Sequence, residues 1–443
     1  MGPDVNTPPP EFIARERIDG RLVLLGITVG LLAGATASLF RVCLEKLSEG
    51  RELLPSMVSD DSTGGTLVLL FLGTVMPVIG VLLVRRFARE TSGSGIPEIE
   101  DVVSENRSIR WARVLLVKFT SSLFSVGSGL VLGREGPTVQ MGGAWGEAVS
   151  RFKRPEYENK LIAAGAGAGL AAAFNAPFAG MIFVIEELKR RISAHMIVVG
   201  FLACATAVFV QQALLGPKAA IVVPLDPYVP SGAVPWMLLV GLIAGVVGAG
   251  YNRALVAAMR FGKRINPLIR AGAVGLVVTL VAVWYPHAGG EGHAVVESAL
   301  VDDPHLQMAI VLLLIRFAFS VISYASGVSG GIFAPLLSLG ALLGLISSDL
   351  VGAVHTHPEA SVAAFAVVGM AALFAAVVRA PLTGIVLVVE MTGEQTLMLP
   401  LVLASAVSYA VAEWLKTEPI YETLGRMRDE ERLAEEASGA PTS

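Results

Sequence analysis

GAGAGLAAAFNAPFAGMIFVIEE at residues 165 to 187 aligns without a gap onto GMAALFAAVVRAPLTGIVLVVEM at residues 369 to 391, an offset of 204 positions. Nine of the 23 positions are identical, among them Ala176-Pro177 with Ala380-Pro381, Gly180 with Gly384 and Glu186 with Glu390. Small apolar residues match cheaply in any apolar helix, so the weight rests on Ala-Pro-x-x-Gly followed by a glutamate at fixed spacing. A second pair agrees: GREGP begins at Gly133 and GIFAP at Gly331, an offset of 198. Two repeats with glycine- and proline-interrupted segments at corresponding places predict a membrane protein of transporter type with broken helices. Its site is expected near the midplane, where the broken segments meet.

Composition supports the membrane reading independently of any motif. Hydrophobic residues make up 54% of the 443, charged residues 16%, and mean hydropathy is +0.67. Soluble domains sit near about 45–50% apolar and about 25% charged. Nine stretches of at least eighteen residues lack Asp, Glu, Lys and Arg: 22–40, 62–84, 161–185, 192–217, 227–252, 271–290, 317–348, 360–378 and 395–412. Each is long enough to cross, since about 20 helical residues span the hydrocarbon core. The 317–348 run is too long for one simple crossing and holds GVSGGIFAP in its middle. It is expected to form two shorter helices meeting at a break, which is tolerated where the freed backbone lines a cavity or is buried in protein.

Other global features exclude classes. A net charge of -4 and a pI near 5.9 argue against a nucleic-acid partner. Cys43 and Cys204 are far apart in sequence, so neither a disulfide framework nor a clustered metal site is expected. Residues 1–20 are polar and proline-bearing (NTPPPEF) with no apolar core of a cleavable leader. Arg15, Arg17 and Arg21 flank the first apolar segment, and Arg85, Arg86 and Arg89 follow the second, which places both flanks in the cytoplasm. The intervening loop also carries three basic residues, so charge alone leaves orientation open.

Glu135 interrupts the apolar, glycine-rich stretch VGSGLVLGREGPTVQM at 126–141. Ionisable groups at such depth are costly and usually face a cavity or a transport path, so an ion or proton site is expected. The alternative is that Glu135 pairs with Arg134 or caps a helix. The repeat sharpens the choice where it fails: Glu187 aligns with Met391 and Glu135 with Phe333, so these carboxylates stand in one half only.

Four short segments carry the chemistry: GSGIP at 93–97, GREGP at 133–137, GIFAP at 331–335, and Tyr421 within EPIYETL. In the first three, glycine admits close approach of the main chain and proline suits the first turn of a helix. Each is expected to open a helix inside the membrane, with unpaired N–H groups and the positive dipole end exposed. Several such ends converging make an anion site without a full positive charge. That suits a transported anion, which a buried lysine or arginine would hold too tightly for rapid release. Ser94 and Tyr421 each add a hydroxyl donor.

Together GSGIPE at 93–98, GREGPTVQ at 133–140, AAAFNAP at 171–177, GGIFAP at 330–335, RAPLTG at 379–384 and Pro-x-Tyr at 419–421 resemble the CLC family of chloride channels and proton-coupled chloride transporters. The resemblance runs in order from about residue 20 to about 425. It implies a central anion held by Ser94, Tyr421 and the amides of Ile332 and Phe333. An outer anion position lies near the amides of Gly133, Arg134 and Gly136, taken by the Glu135 carboxylate when no anion is there. Glu135 thereby becomes the external gate that couples protons to anions. The resemblance also implies that Glu187 is the internal proton acceptor, Glu186 a structural or water-organising residue, and the whole a homodimer with one pore per subunit, each subunit an all-α membrane protein of many tilted and broken helices in two inverted-topology repeats. The other reading of Glu187 is an interfacial residue neutralised by Lys189, Arg190 and Arg191.

With both glutamates present, a proton-coupled chloride antiporter is expected, the alternative being a passive gated chloride channel of the same family. Ser94 matches the chloride-type pattern, so chloride is the expected substrate, with bromide and nitrate tolerated. Lys118 adds positive potential to the pore or is a snorkelling helix-end lysine. The expected organisation is a cytoplasmic segment at 1–20, a transport domain at 21–424 with halves at about 21–220 and 227–424, and a cytoplasmic tail at 425–443. No appended regulatory domain is expected, which suits a minimal prokaryotic member in the inner membrane with both termini cytoplasmic. Partners are chloride, protons, lipid and a second copy, with no cofactor and no metal. An intramembrane enzyme is disfavoured because the six histidines show no HExxH spacing and none lies beside a glycine-flanked serine. GAGAGLAAAF superficially resembles a dinucleotide loop, but no strand precedes it.

Overall fold

The computed structural model describes residues 19–58, 62–105, 107–153, 157–188, 194–217, 221, 229–301, 306–354 and 360–437. Most of the N-terminal segment at 1–20, the cluster Lys189, Arg190 and Arg191, and residues 438–443 lie outside them. The first half comprises α1 (Gly20–Val58), α2 (Ser62–Phe87), α3 (Ile96–Glu105), α4 (Trp111–Gly127), α5 (Glu135–Lys153), α6 (Glu158–Phe174), α7 (Pro177–Phe183) and α8 (Ala194–Leu215). The second comprises α9 (Val234–Gly262), α10 (Pro267–Trp284), α11 (His293–Val301), α12 (Leu306–Ala325), α13 (Phe333–Val354), α14 (Val362–Val378), α15 (Pro381–Thr392), α16 (Met398–Trp414) and α17 (Ile420–Ala437). Helices satisfy their own backbone polar groups, which hydrocarbon cannot do.

Eight helices among the described residues are long and apolar enough to cross a membrane: α1, α2, α8, α9, α10, α12, α13 and α16. The long run at 317–348 does divide, feeding α12 and α13 on either side of GVSGGI. The run at 161–185 also divides, which its uninterrupted apolarity hid. Asn175 takes a left-handed conformation (φ 57°) that ends α6, and Pro177 opens α7. Arg379 repeats this at φ 70° between α14 and α15, 204 positions on.

Packing repeats as well. A Cβ on Gly142 of α5 would lie 2.0 Å from the Gly165 carbonyl of α6, and one on Gly340 of α13 would lie 2.5 Å from the Gly369 carbonyl of α14. The glycines correspond at offsets of 198 and 204, so both halves bring their helices into the same backbone contact. The halves then grip each other reciprocally. Glu390, near the C-terminal end of α15, accepts from Phe178 N (3.1 Å) and Ala179 N (2.7 Å) at the start of α7. Glu186, on the single π-turn that follows α7, accepts from Leu382 N (3.1 Å) and Thr383 N (2.7 Å) at the start of α15. Each helix ends on the beginning of the other, so α7 and α15 run antiparallel, as an inverted repeat requires.

Candidate functional site

The predicted breaks at GSGIP, GREGP and GIFAP are all helix starts, and they meet in pairs. Gly133 and Gly331 exchange two backbone hydrogen bonds, each of 2.8 Å. Gly93 donates to the Val328 carbonyl and accepts from Gly330, both at 2.9 Å. A few backbone bonds deep in the protein thus tie the mouth of α5 to that of α13, and the loop before α3 to the loop before α13. One expectation changes here. The amide of Gly133 is engaged by the Gly331 carbonyl, so it is not a free anion donor. The approach leaves no room for side chains: a Cβ on Gly136 would lie 2.9 Å from Ser94 Cα, and one on Gly331 would lie 2.6 Å from Glu135 Oε1.

Glu135 is fully buried at the first residue of α5. Its Oε1 accepts from Ala334 N at 3.1 Å, and its carboxylate also faces the amides of Phe333 and of Glu135 itself. Oε2 is buried without a partner among the described residues. The carboxylate therefore sits on the positive end of α13, where an anion would sit. Arg134 does not pair with it. That guanidinium approaches Glu291 instead, Nη1 to Oε2 at 3.7 Å, at the floor of a cavity of about 980 Å³ that Arg41, Arg51 and His293 also line.

Tyr421 opens α17, fully buried, with its ring 5.8 Å from that of Phe333. Its hydroxyl has no partner among the described residues. A buried phenol left unpaired is costly, and an anion accepting a hydrogen bond from it would remove the penalty. Phe333 is itself buried edge-on against Phe183 and Phe374, and Ile332 is fully buried beside it. Ser94 is buried just before α3; its Oγ receives the Ile96 amide at 3.3 Å and the Tyr324 hydroxyl at 3.4 Å. Tyr324 was not singled out in the sequence, since its partner lies 230 residues away.

Lys118 is not a snorkelling residue. It is completely buried in the middle of α4, and Nζ donates to the carbonyls of Thr91 (3.0 Å) and Gly93 (2.7 Å). It holds the loop that presents Ser94. A serine cluster completes the support: Ser329 Oγ donates to the Thr91 carbonyl at 2.9 Å and meets Ser122 Oγ at 2.9 Å, while Ser125 donates to the Ser329 carbonyl. Glu186 is occupied by the α15 amides as described above. Glu187, one residue on, is only partly buried, with the carboxylates of Glu100, Glu186 and Glu422 close enough to repel it. The structure thus gathers Ser94, Glu135, Ile332, Phe333 and Tyr421 into one buried cradle and leaves Glu187 outside it, on the α3–α17 side.

The model of the Voltage gated chloride channel family matches residues 73–413. The chain belongs to the CLC family. Among its relatives, the H(+)/Cl(-) exchange transporter ClcA of Cronobacter sakazakii is 37% identical over 426 residues, covering 94% of this chain and 91% of that protein. ClcA of Vibrio parahaemolyticus is 37% identical over 432 residues with the same coverage. A slow cyanobacterial Cl-/H+ antiporter superposes with a TM-score of 0.89 at 31% identity, covering 93% of this chain and 98% of that one. Family membership makes this CLC chain an integral membrane protein of transport type, in keeping with its eight candidate spans.

Proposed function

We propose that this CLC chain is a proton-coupled chloride antiporter. The observation that carries the reading is the Glu135 carboxylate seated on the amides at the start of α13, whose Phe333 packs against Tyr421, a buried tyrosine with no hydroxyl partner among the described residues. An ionised carboxylate and chloride compete for the same donors. When chloride occupies the cradle the carboxylate is displaced, and when protonated it loses the charge that held it there. Anion and proton occupancy are thereby linked. The exchange-transporter names of relatives at 37% identity support coupling over passive conduction.

In this reading Ser94, Tyr421 and the amides of Ile332 and Phe333 hold the central chloride, with the amides of Arg134 and Gly136 beside the outer position. Glu187 receives protons on the α3–α17 side and passes them toward Glu135, and Lys118 keeps the Ser94 loop in place. The domain frame is a cytoplasmic segment at 1–20, a transport domain at 21–424 and a cytoplasmic tail at 425–443. The protein works as a homodimer in the inner membrane with both termini in the cytoplasm. It catalyses no covalent chemistry, and chloride is substrate rather than cofactor. The test is proton movement in liposomes driven only by a chloride gradient. Uphill proton flux that vanishes in Glu135→Gln and in Glu187→Gln, with chloride flux surviving in Glu187→Gln, is expected. Chloride flux without proton movement in the intact protein would make it a passive channel.

A further inference from the structure

Ser94 and Tyr421 stand at the starts of different helices, α3 and α17, and something must set the distance between them. The two helices are joined two turns further along. Arg428 Nη1 meets Glu98 Oε2 at 2.9 Å, and Nη2 meets Asp101. Arg428 is seven residues after Tyr421, while Glu98 and Asp101 are four and seven residues after Ser94. At about 1.5 Å per residue the clasp lies roughly 10 Å beyond the hydroxyls, on the same face of α17 as Tyr421. Between hydroxyls and clasp the helices touch at Gly425, whose missing Cβ would lie 3.8 Å from Asp101 Oδ1. One guanidinium holding two half-buried carboxylates differs from an exposed single pair, which contributes little.

From this geometry we infer that Arg428 is a positioning residue for exchange: by clasping Glu98 and Asp101 it fixes the separation of the Ser94 and Tyr421 hydroxyls and hence the fit of the anion between them. The proposal rests on the antiport reading only for its coupling arm. Acidic groups outnumber basic ones around the clasp. On α3 stand Glu98, Glu100 and Asp101, with Arg107 3.4 Å from Asp101. From α17 comes Glu422, and Glu187 faces the same side. Removing Arg428 leaves carboxylates that repel one another across the α3–α17 seam and makes the potential near the anion more negative. Both effects weaken chloride binding. The base of α17 is tied separately: Arg426 hydrogen-bonds Glu418 and holds its carboxyl below the usual carboxylate range, and Asn252 donates to the Glu418 carbonyl at 3.1 Å. Loss of the clasp therefore lets α17 swing about its start without detaching it.

The experiment compares Arg428→Gln, Arg428→Lys and Glu98→Gln with Lys263→Gln in the full-length protein. Lys263→Gln cuts the 2.8 Å pair between Lys263 and Glu431, which ties α17 to the end of α9 and does not reach α3. Chloride affinity is read by calorimetry on purified protein, and the proton-to-chloride flux ratio in liposomes. Arg428→Gln and Glu98→Gln are expected to raise the chloride Kd about three- to tenfold, the scale of one ordinary hydrogen bond to the anion weakened by misplacement, and to lower the flux ratio at least twofold. Arg428→Lys recovers most of both, and Lys263→Gln changes neither. A purely structural role would lower yield or turnover and leave Kd and ratio alone, and that result in whichever of Arg428→Gln and Glu98→Gln folds overturns the proposal. Equal losses in Lys263→Gln overturn it too. Absence of proton flux in the intact protein would sink the antiport reading alone, and the affinity series would still decide the clasp.

Discussion

The helices α5 to α7 and α13 to α15 are two copies of one plan, and they differ at the residues that matter for ions. Both copies cross their first two helices at matched glycines, both end the second helix on a left-handed residue, and both send a glutamate into the start of the other's short helix. Only the first copy adds Glu135 and Glu187, where the second has Phe333 and Met391. The second copy instead supplies the amide of Ala334 on which the Glu135 carboxylate rests. One half thus provides the buried carboxylate and the other the helix start on which it rests. The proposed exchange mechanism uses both, since two mobile carboxylates in one cradle would repel each other and two empty cradles would couple nothing to protons.

The strongest way to break this asymmetry is to neutralise its charged side. In Glu135→Gln, proton flux is expected to fall to background while chloride flux persists and becomes insensitive to pH, read by paired chloride and pH electrodes on the same liposomes. A Gln variant that still pumps protons would remove Glu135 from the coupling.

The shared scaffold should respond symmetrically. Gly142→Ala and Gly340→Ala each force a Cβ into backbone within 2.5 Å. Overpacking of this kind costs about 1–3 kcal/mol or more, so comparable losses of thermal stability are expected in both. A large loss in one half only would show that the halves do not bear load alike.

The reciprocal glutamates offer a milder test. Glu186→Gln and Glu390→Gln each weaken hydrogen bonds to a pair of amides, worth about 1.5–3 kcal/mol when the acceptor is charged. Similar falls in melting temperature are expected, with proton coupling retained in both variants. Loss of coupling in Glu186→Gln alone would give that residue a role in the proton path beyond holding α15. The smallest effect belongs to Tyr421→Phe, which removes one neutral donor worth about 0.5–1.5 kcal/mol. Chloride affinity is expected to drop roughly two- to tenfold by calorimetry with the fold intact.

Much of this was legible in the chain. The offsets of 204 and 198 announced the two halves, and Gly-x-x-x-Pro spacing marked where α3, α5 and α13 begin, because glycine and proline act on the local backbone. The α6–α7 break was hidden in 161–185, where Asn175 ends a helix without any charge to mark it. Lys118 could be read from sequence either as a source of positive potential in the pore or as a helix-end residue reaching the membrane surface; it lies mid-helix and bonds to carbonyls 25 and 27 residues away. The contacts of Tyr324 with Ser94, of Glu291 with Arg134 and of Arg428 with Glu98 join distant segments, and no local pattern encodes such pairs. The engaged amide of Gly133 could not be foreseen either, because its partner carbonyl belongs to the other half.

Competition between the Glu135 carboxylate and chloride for the start of α13 is tested most directly by titrating chloride into purified, weakly buffered protein near neutral pH while recording both heat and pH. Binding accompanied by proton uptake, up to about one proton for each Glu135 displaced and protonated, is the expected result, and the uptake disappears in Glu135→Gln while chloride still binds. Chloride binding by the intact protein at several starting pH values with no proton uptake would contradict the account.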